Sequence, residues 1–193
     1  LQPIGPLMIE HRLIERMVTL MRRDLERIRA NILVDPEFAF VDPVFIDVAV
    51  DFMRTYADRC HHGKEEDILF AELAKKELAP DLRKILEELT EEHVLAREYT
   101  KELVKAKEDY LREEPEAVNQ ILFCLDRLTA MYPRHILKED QHFFISAMPY
   151  FTPEEKDAML ARMWEFDRKL IHEKYEGTVS AIENRRACGL KHK

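Results

Sequence analysis

The side chains in this chain best suited to chemistry are histidines and glutamates set at helical spacing. His61 is followed four residues later by Glu65, and His135 by Glu139. Residues four apart lie on one face of a helix, so each pair aims an imidazole and a carboxylate the same way. His11 and His93 also fall on the apolar stripes of their own segments, which puts one such histidine in each of four successive helical patterns. Imidazoles and carboxylates turned inward from several helices make a metal site inside a bundle. A lone histidine on an apolar face is most simply a packed core residue. The balance changes when four segments repeat it and a glutamate accompanies two of them. An ionised glutamate in a seam is costly to bury alone, and coordination to a cation offsets that cost. Mixed nitrogen and carboxylate donors suit iron, manganese or zinc, and the lack of closely paired cysteines argues against a structural zinc knot.

The second helix leaves a choice of register. His62 and Glu66 repeat the spacing of His61 and Glu65, and in a regular helix both pairs do not point equally inward. Glu65 and Glu139 each precede a phenylalanine by five residues, Phe70 and Phe144, which favours His61 with Glu65. His62 is then a shoulder residue, either an extra ligand or a group behind the ligands. Glu15, four residues after His11, is balanced between a bridging carboxylate and surface decoration. His142, one heptad past His135, reads as core or as a support for the ligands. His172 is a surface histidine unless the last helix folds over the bundle and delivers it to the metal.

Long helices are needed to place these residues. Only 4 glycines among 193 residues, with 35% charged and 46% hydrophobic side chains, indicate an all-α chain. Leu7, His11, Ile14, Val18, Met21, Leu25, Ile28 and Ile32 alternate steps of four and three, the stripe of a bundle-facing helix. A loop with two Asp-Pro pairs follows over 34–43, then a second helix over about 44–76 with Phe45, Val48, Phe52 and Tyr56 in its early seam. Pro80 and Asp81 open a third, with Leu82, Leu86, Leu89, His93, Ala96, Thr100 and Leu103 inward. The fourth carries Val118, Ile121, Leu125, Leu128, Tyr132, His135, Glu139 and His142, and Pro133 should kink it just before His135. Thr152, Pro153 and Glu155 spell the start of a fifth helix, whose apolar face reads Leu160, Trp164, Ile171, Tyr175 and Val179. The expectation is one domain over 1–184, with a core bundle at about 7–148, an added helix at about 153–184 and a flexible tail over 185–193. The fifth helix is expected to cover one side of the metal pocket; pairing of two copies into a homodimer through the same face is the rival.

Composition excludes several classes. A net charge of −8 and a pI of about 5.6 disfavour nucleic acid as a partner, since phosphate binding needs a basic face. No apolar run reaches the roughly 18 residues of a membrane span. The first residues lack the charged-then-apolar layout of a secretory signal. The three cysteines, Cys60, Cys124 and Cys188, are widely spaced and read as free thiols, so a cytoplasmic protein is expected.

The segments MIEHRLIERM, YADRCHHGKEEDILF, EEH and HILKEDQHFF occur in this order. Together they resemble the hemerythrin-like HHE cation-binding domain over about residues 7–148, with the fifth helix as an addition. The resemblance implies an up-and-down four-helix bundle around a non-haem di-iron centre, with His11, His61, Glu65, His93, His135 and Glu139 as ligands. Family members usually carry a second histidine or glutamate four residues after the third-helix histidine, where this chain has Arg97. The missing donor is then His62, Glu15, His142 or His172, or else one iron is more open, or the site holds a single metal. The implied function is to bind or sense O2 or a related small oxidant, another diatomic or a peroxide, without turnover. The alternatives are a di-iron peroxidase or oxidase, a nitric-oxide-handling enzyme, an iron storage or delivery module, and a helical interaction protein clamped by its metal.

Overall fold

Helix boundaries follow from local chemistry. The first helix, α1, is Ile4–Val34. Asp42 caps the second: its carboxylate accepts from the backbone N–H groups of Val44 and Phe45, and Pro43 stands where no donor is needed. This helix, α2, is continuous over 43–73, with α geometry in Pro43–Phe52 and wider π turns in Met53–His62 and Glu65–Phe70. Helix α3 is Pro80–Leu111. Helix α4 covers 117–147, as α turns in Ala117–Lys138, π turns in Glu139–Phe143 and a last α turn in Phe144–Ala147. Helix α5 is Pro153–Gly189. It opens with a reciprocal cap: the Glu155 N–H donates to Thr152 Oγ1 (3.3 Å) and the Thr152 N–H to the Glu155 carboxylate (2.9 Å). The computed structural model describes residues 2–35, 37 and 39–189, the side chains of 172, 173 and 175–189 excepted. Among the described residues there is no strand, and no helix is long and apolar enough to cross a membrane.

Helices α1 to α4 form an up-and-down bundle in which each packs on its neighbours and α4 closes on α1. The buried positions of α1 include Leu7, His11, Ile14, Val18, Met21, Leu25 and Ile28, the predicted stripe. Two apolar layers fill the bundle. One gathers Val18, Met21, Leu25, Leu103 and Leu125; the other gathers Leu7, Leu69, Leu73, Leu89, Phe143 and Phe144. The buried histidines lie between them in sequence on every helix. Pro133 sits inside α4 without ending it, and the Thr129 carbonyl freed by the missing N–H accepts from the Arg22 guanidinium.

Two faces differ from the sequence expectation. In early α2 the core face is Ile46, Ala49, Val50, Met53 and Ala57. Of the predicted seam, Phe45, Phe52 and Tyr56 are half-buried and pack on the edge of this core, whereas Val48 is exposed. Phe52, Tyr56 and Val48 also line a groove of about 580 Å³ shared with α1 and α5. Helix α5 runs antiparallel along the outside of α2. Glu155 meets Lys76 (2.6 Å), Arg162 meets Glu72 (2.6 Å), and Lys174 meets Asp51 (3.0 Å). Its buried residues are Met159, Leu160, Met163 and Leu170, whereas Trp164 and Ile171 are exposed. Of the predicted face, Leu160 is buried and Ile171 lines the groove, while Trp164 turns outward and Met159, Met163 and Leu170 beside it make the apolar contact. Tyr175 and Val179 lie outside the described side chains. The helix continues to Gly189, past the 184 where a tail was expected.

Candidate metal centre

Five histidines and two glutamates meet in the middle of the bundle, each with no more than 2% exposure: His11, His61, His62, His93, His135, Glu65 and Glu139. They form two overlapping groups. His11, His61, Glu65 and Glu139 place ligand atoms within 4.8 Å of one another, and so do His62, Glu65, His93 and His135. The Nε2 atoms of His11 and His61 are 2.9 Å apart. Two imidazole nitrogens bound side by side to one ion at about 2.1 Å are separated by about 3 Å, so this spacing suits a shared cation.

Both glutamates stand between the groups. Glu65 Oε1 lies 3.5 Å from His61 Nε2 and its Oε2 lies 3.4 Å from His93 Nε2. Glu139 Oε2 lies 3.1 Å from His11 Nε2 and its Oε1 lies 3.3 Å from His135 Nε2. Each carboxylate turns one oxygen toward each group, the disposition of a bridging ligand. All four of these oxygens, with His93 Nε2 and His135 Nε2, are buried without a hydrogen-bond partner. Six orphaned polar atoms converging on one point would be strongly destabilising in an apolar core, and cations coordinated there satisfy them. The residues present therefore fit bound metal cations.

Behind the ligands runs a closed ring of clamps. Glu10 of α1 accepts from His61 Nδ1 of α2 (2.9 Å) and Glu66 of α2 from His93 Nδ1 of α3 (2.7 Å). Glu92 of α3 accepts from His135 Nδ1 of α4 (2.8 Å), and Asp140 of α4 from His11 Nδ1 of α1 (2.8 Å). Each helix thus orients the histidine of the next. A carboxylate on Nδ1 fixes the tautomer that leaves Nε2 free to coordinate. A cation from the histidine's own helix then holds each carboxylate: Lys64, Arg97, Lys138 and Arg12, in the same order. Arg97 also reaches Asp58 (2.7 Å), which lies 3.4 Å from His62 Nδ1.

Among known families, the model of the hemerythrin HHE cation binding domain matches residues 2–145. The chain belongs to this family. No curated protein matches it, and neither does any solved structure. The hemerythrin match ends before α5, so the added helix lies outside the family region.

Within this hemerythrin domain the structure brings together all six residues first predicted as ligands and adds His62. Adjacent residues of α2 point about 100° apart around the helix, and α2 sits at the corner between α1 and α3. His61 therefore turns to His11 while His62 stacks on His93, ring centroids 3.8 Å apart. His62, expected at the shoulder as an extra ligand or a group behind the ligands, thus stands in the cluster beside His61. Glu15 is not brought to the cluster: it pairs with Arg12 at the surface, 40% exposed. Neither is His142, because the π turns of Glu139–Phe143 add a residue to the turn and bring Phe143 and Phe144 inward in its place. The side chain of His172 lies outside the described residues. Sequence reading missed Glu10, Glu66, Glu92 and Asp140, although a signal was there: each is the immediate neighbour of a ligand candidate.

Electrostatics follow from this packing. Burial acts to lower the pKa of His11, but the hydrogen bond to Asp140 and the negative charges of Glu139 and Glu65 override it and raise the value to about 10. The same opposition, with Glu65 and Glu66 as partners, raises His93 to about 9. His62 moves the other way: burial and the neighbouring His93, His135 and His61 push it well below the usual range. It is the ring best held neutral, the form that coordinates a metal. Glu65 is held below the usual carboxylate range, since His61, His93 and His11 outweigh the cost of burying it.

Proposed function

We propose that this protein holds a non-haem di-iron centre and uses it to bind or sense O2 or a related small oxidant. The observation that carries this reading is the pair of buried glutamates whose four oxygens lack partners and divide between two histidine groups. On this reading His11 and His61 would hold one ion and His62, His93 and His135 the other, with Glu65 and Glu139, each turning one oxygen to either group, shared between them. The mixed set of five imidazoles and two carboxylates favours iron, with manganese or zinc as competitors. Two ferrous ions bound there would supply the electrons that uptake of O2 requires. The surrounding side chains exclude water: Phe144 stacks on His11 (5.7 Å between centroids) and Phe70 on His93 (5.8 Å). The clamp carboxylates keep the Nδ1 protons of His11, His61, His93 and His135 in place, so these four imidazoles stay turned inward. A cytoplasmic location fits a ferrous site and the free thiols of Cys60 and Cys124. The test is anaerobic loading with ferrous iron, elemental analysis, and visible spectra before and after air. Two irons per chain and a spectrum that reverses on removing O2 support the reading; no stoichiometric transition metal removes it.

One observation favours a second reading, turnover of peroxide or O2. Tyr132 is buried beside the cluster, its ring 6.2 Å from His62 and 6.3 Å from His135. An oxidisable phenol so placed suits an electron donor during turnover. Sustained consumption of peroxide that falls in Tyr132→Phe with unchanged iron content would select this reading over reversible binding.

A further inference from the structure

One of the four clamps is built differently. Arg12, Arg97 and Lys138 keep part of their side chains in solvent, at 56%, 39% and 23% exposure, whereas Lys64 is fully buried. Its ammonium donates to Glu10, whose other oxygen accepts from His61 Nδ1, and to Asp167 Oδ1 of α5 at 2.7 Å. A buried ammonium needs more than one anionic partner to offset its lost hydration. Here the second partner comes from outside the four-helix bundle. The register of α5 is set at the same place: a Cβ on Gly63 would stand 2.8 Å from Phe166 Cζ, so the ring rests directly on the glycine beside Lys64. The carboxylates of the other histidine group, Asp58, Glu66 and Glu92, are held by Arg97 and Lys138 of α3 and α4.

We propose that Lys64 and Asp167 are positioning residues for the His11–His61 half of the centre, so that α5 completes one of the two metal positions. This rests on the two-metal reading above. Asp167 fixes the ammonium, the ammonium fixes Glu10, and Glu10 fixes the His61 tautomer with Nε2 inward. Losing a partner behind a ligand typically weakens metal binding by about 10–100-fold. Asp167 keeps 35% of its side chain exposed, so Asp167→Asn alters charge without opening the core. Ferrous iron is titrated anaerobically into the full-length protein against a competing chelator. In Asp167→Asn one ion binds as in wild type and the other about 10–100-fold more weakly. In cobalt(II)-loaded protein, only the exchangeable imidazole proton of His61 shifts. Arg162→Ala is the control: it cuts α5 contacts to Glu72 and the Asp67 carbonyl but leaves the chain through Lys64 whole, and it leaves both ions as in wild type. Unchanged affinities in Asp167→Asn, equal loss at both positions, or the same loss in Arg162→Ala overturns the proposal. Wild-type protein that binds fewer than two ions instead removes the two-metal reading, and this inference with it.

Discussion

At the scale of single residues, the structure makes His62 the equal of His61. We predict that His61→Ala weakens the ion shared with His11, and that His62→Ala weakens the ion shared with His93 and His135, each by more than about tenfold. Iron content after dialysis against a chelator checks this; a His62→Ala protein that retains both ions would return His62 to a packing role. The metal-free protein carries a pH signature of its own. His11 and His93 have folded values of about 10 and about 9 against 6.5 unfolded. Groups raised in this way stabilise the fold fully below the unfolded value, and that stability is lost as pH rises through the folded ones. Denaturant midpoints of metal-free protein should therefore fall between pH 6.5 and 10, while metal affinity rises over the same window because ions displace those protons. Much of this cluster was legible in sequence, since His11, His93 and the pairs His61–Glu65 and His135–Glu139 all sit on apolar stripes. His62 was legible only as a shoulder residue, because a period of 3.6 admits one of two adjacent histidines to a given face, and only the corner position of α2 shows that two faces are needed.

Elements carry the next set of consequences. The five helices and their order follow from prolines, caps and apolar spacing, and the reciprocal cap of Thr152 and Glu155 is as predicted. What spacing could not give is the geometry inside a helix. The π turns in α2 and α4 fall on the two His-x-x-x-Glu segments, and those in α4 displace His142 from the stripe. The face of α5 was misread for a related reason. Its contact is chosen by Gly63, which admits Phe166, and by Lys64, which recruits Asp167; neither leaves a mark in the periodicity of α5 itself. An unpredicted strain closes α3: Glu113 has φ 59°, the left-handed conformation that favours glycine, while its N–H donates to the Tyr110 carbonyl at 3.0 Å. We predict that Glu113→Gly stabilises the fold by about 1 kcal/mol, read as a higher thermal midpoint with unchanged metal content. Removing the α2 cap with Asp42→Ala should cost about 1 kcal/mol.

For the whole molecule, bound metal acts as a stabiliser. An ion at about 1,000 times its dissociation constant adds about 4 kcal/mol to a fold that binds it only when folded. Loaded protein should therefore melt well above metal-free protein, and a scan in excess chelator checks it. The apolar layers on either side of the histidines have a temporal consequence. With all seven cluster residues sealed from solvent to within 2%, an incoming chelator has nothing to touch. Departure of an ion must wait for the helices to breathe, so residence time belongs to the protein's opening motions and not to the exchange rate of a hydrated ion. Raising the chelator concentration should then cease to speed the loss beyond a plateau. The plateau rate should match the hydrogen-exchange opening rate of the 61–70 backbone, which would make this bundle a slow clock for the metal it has captured.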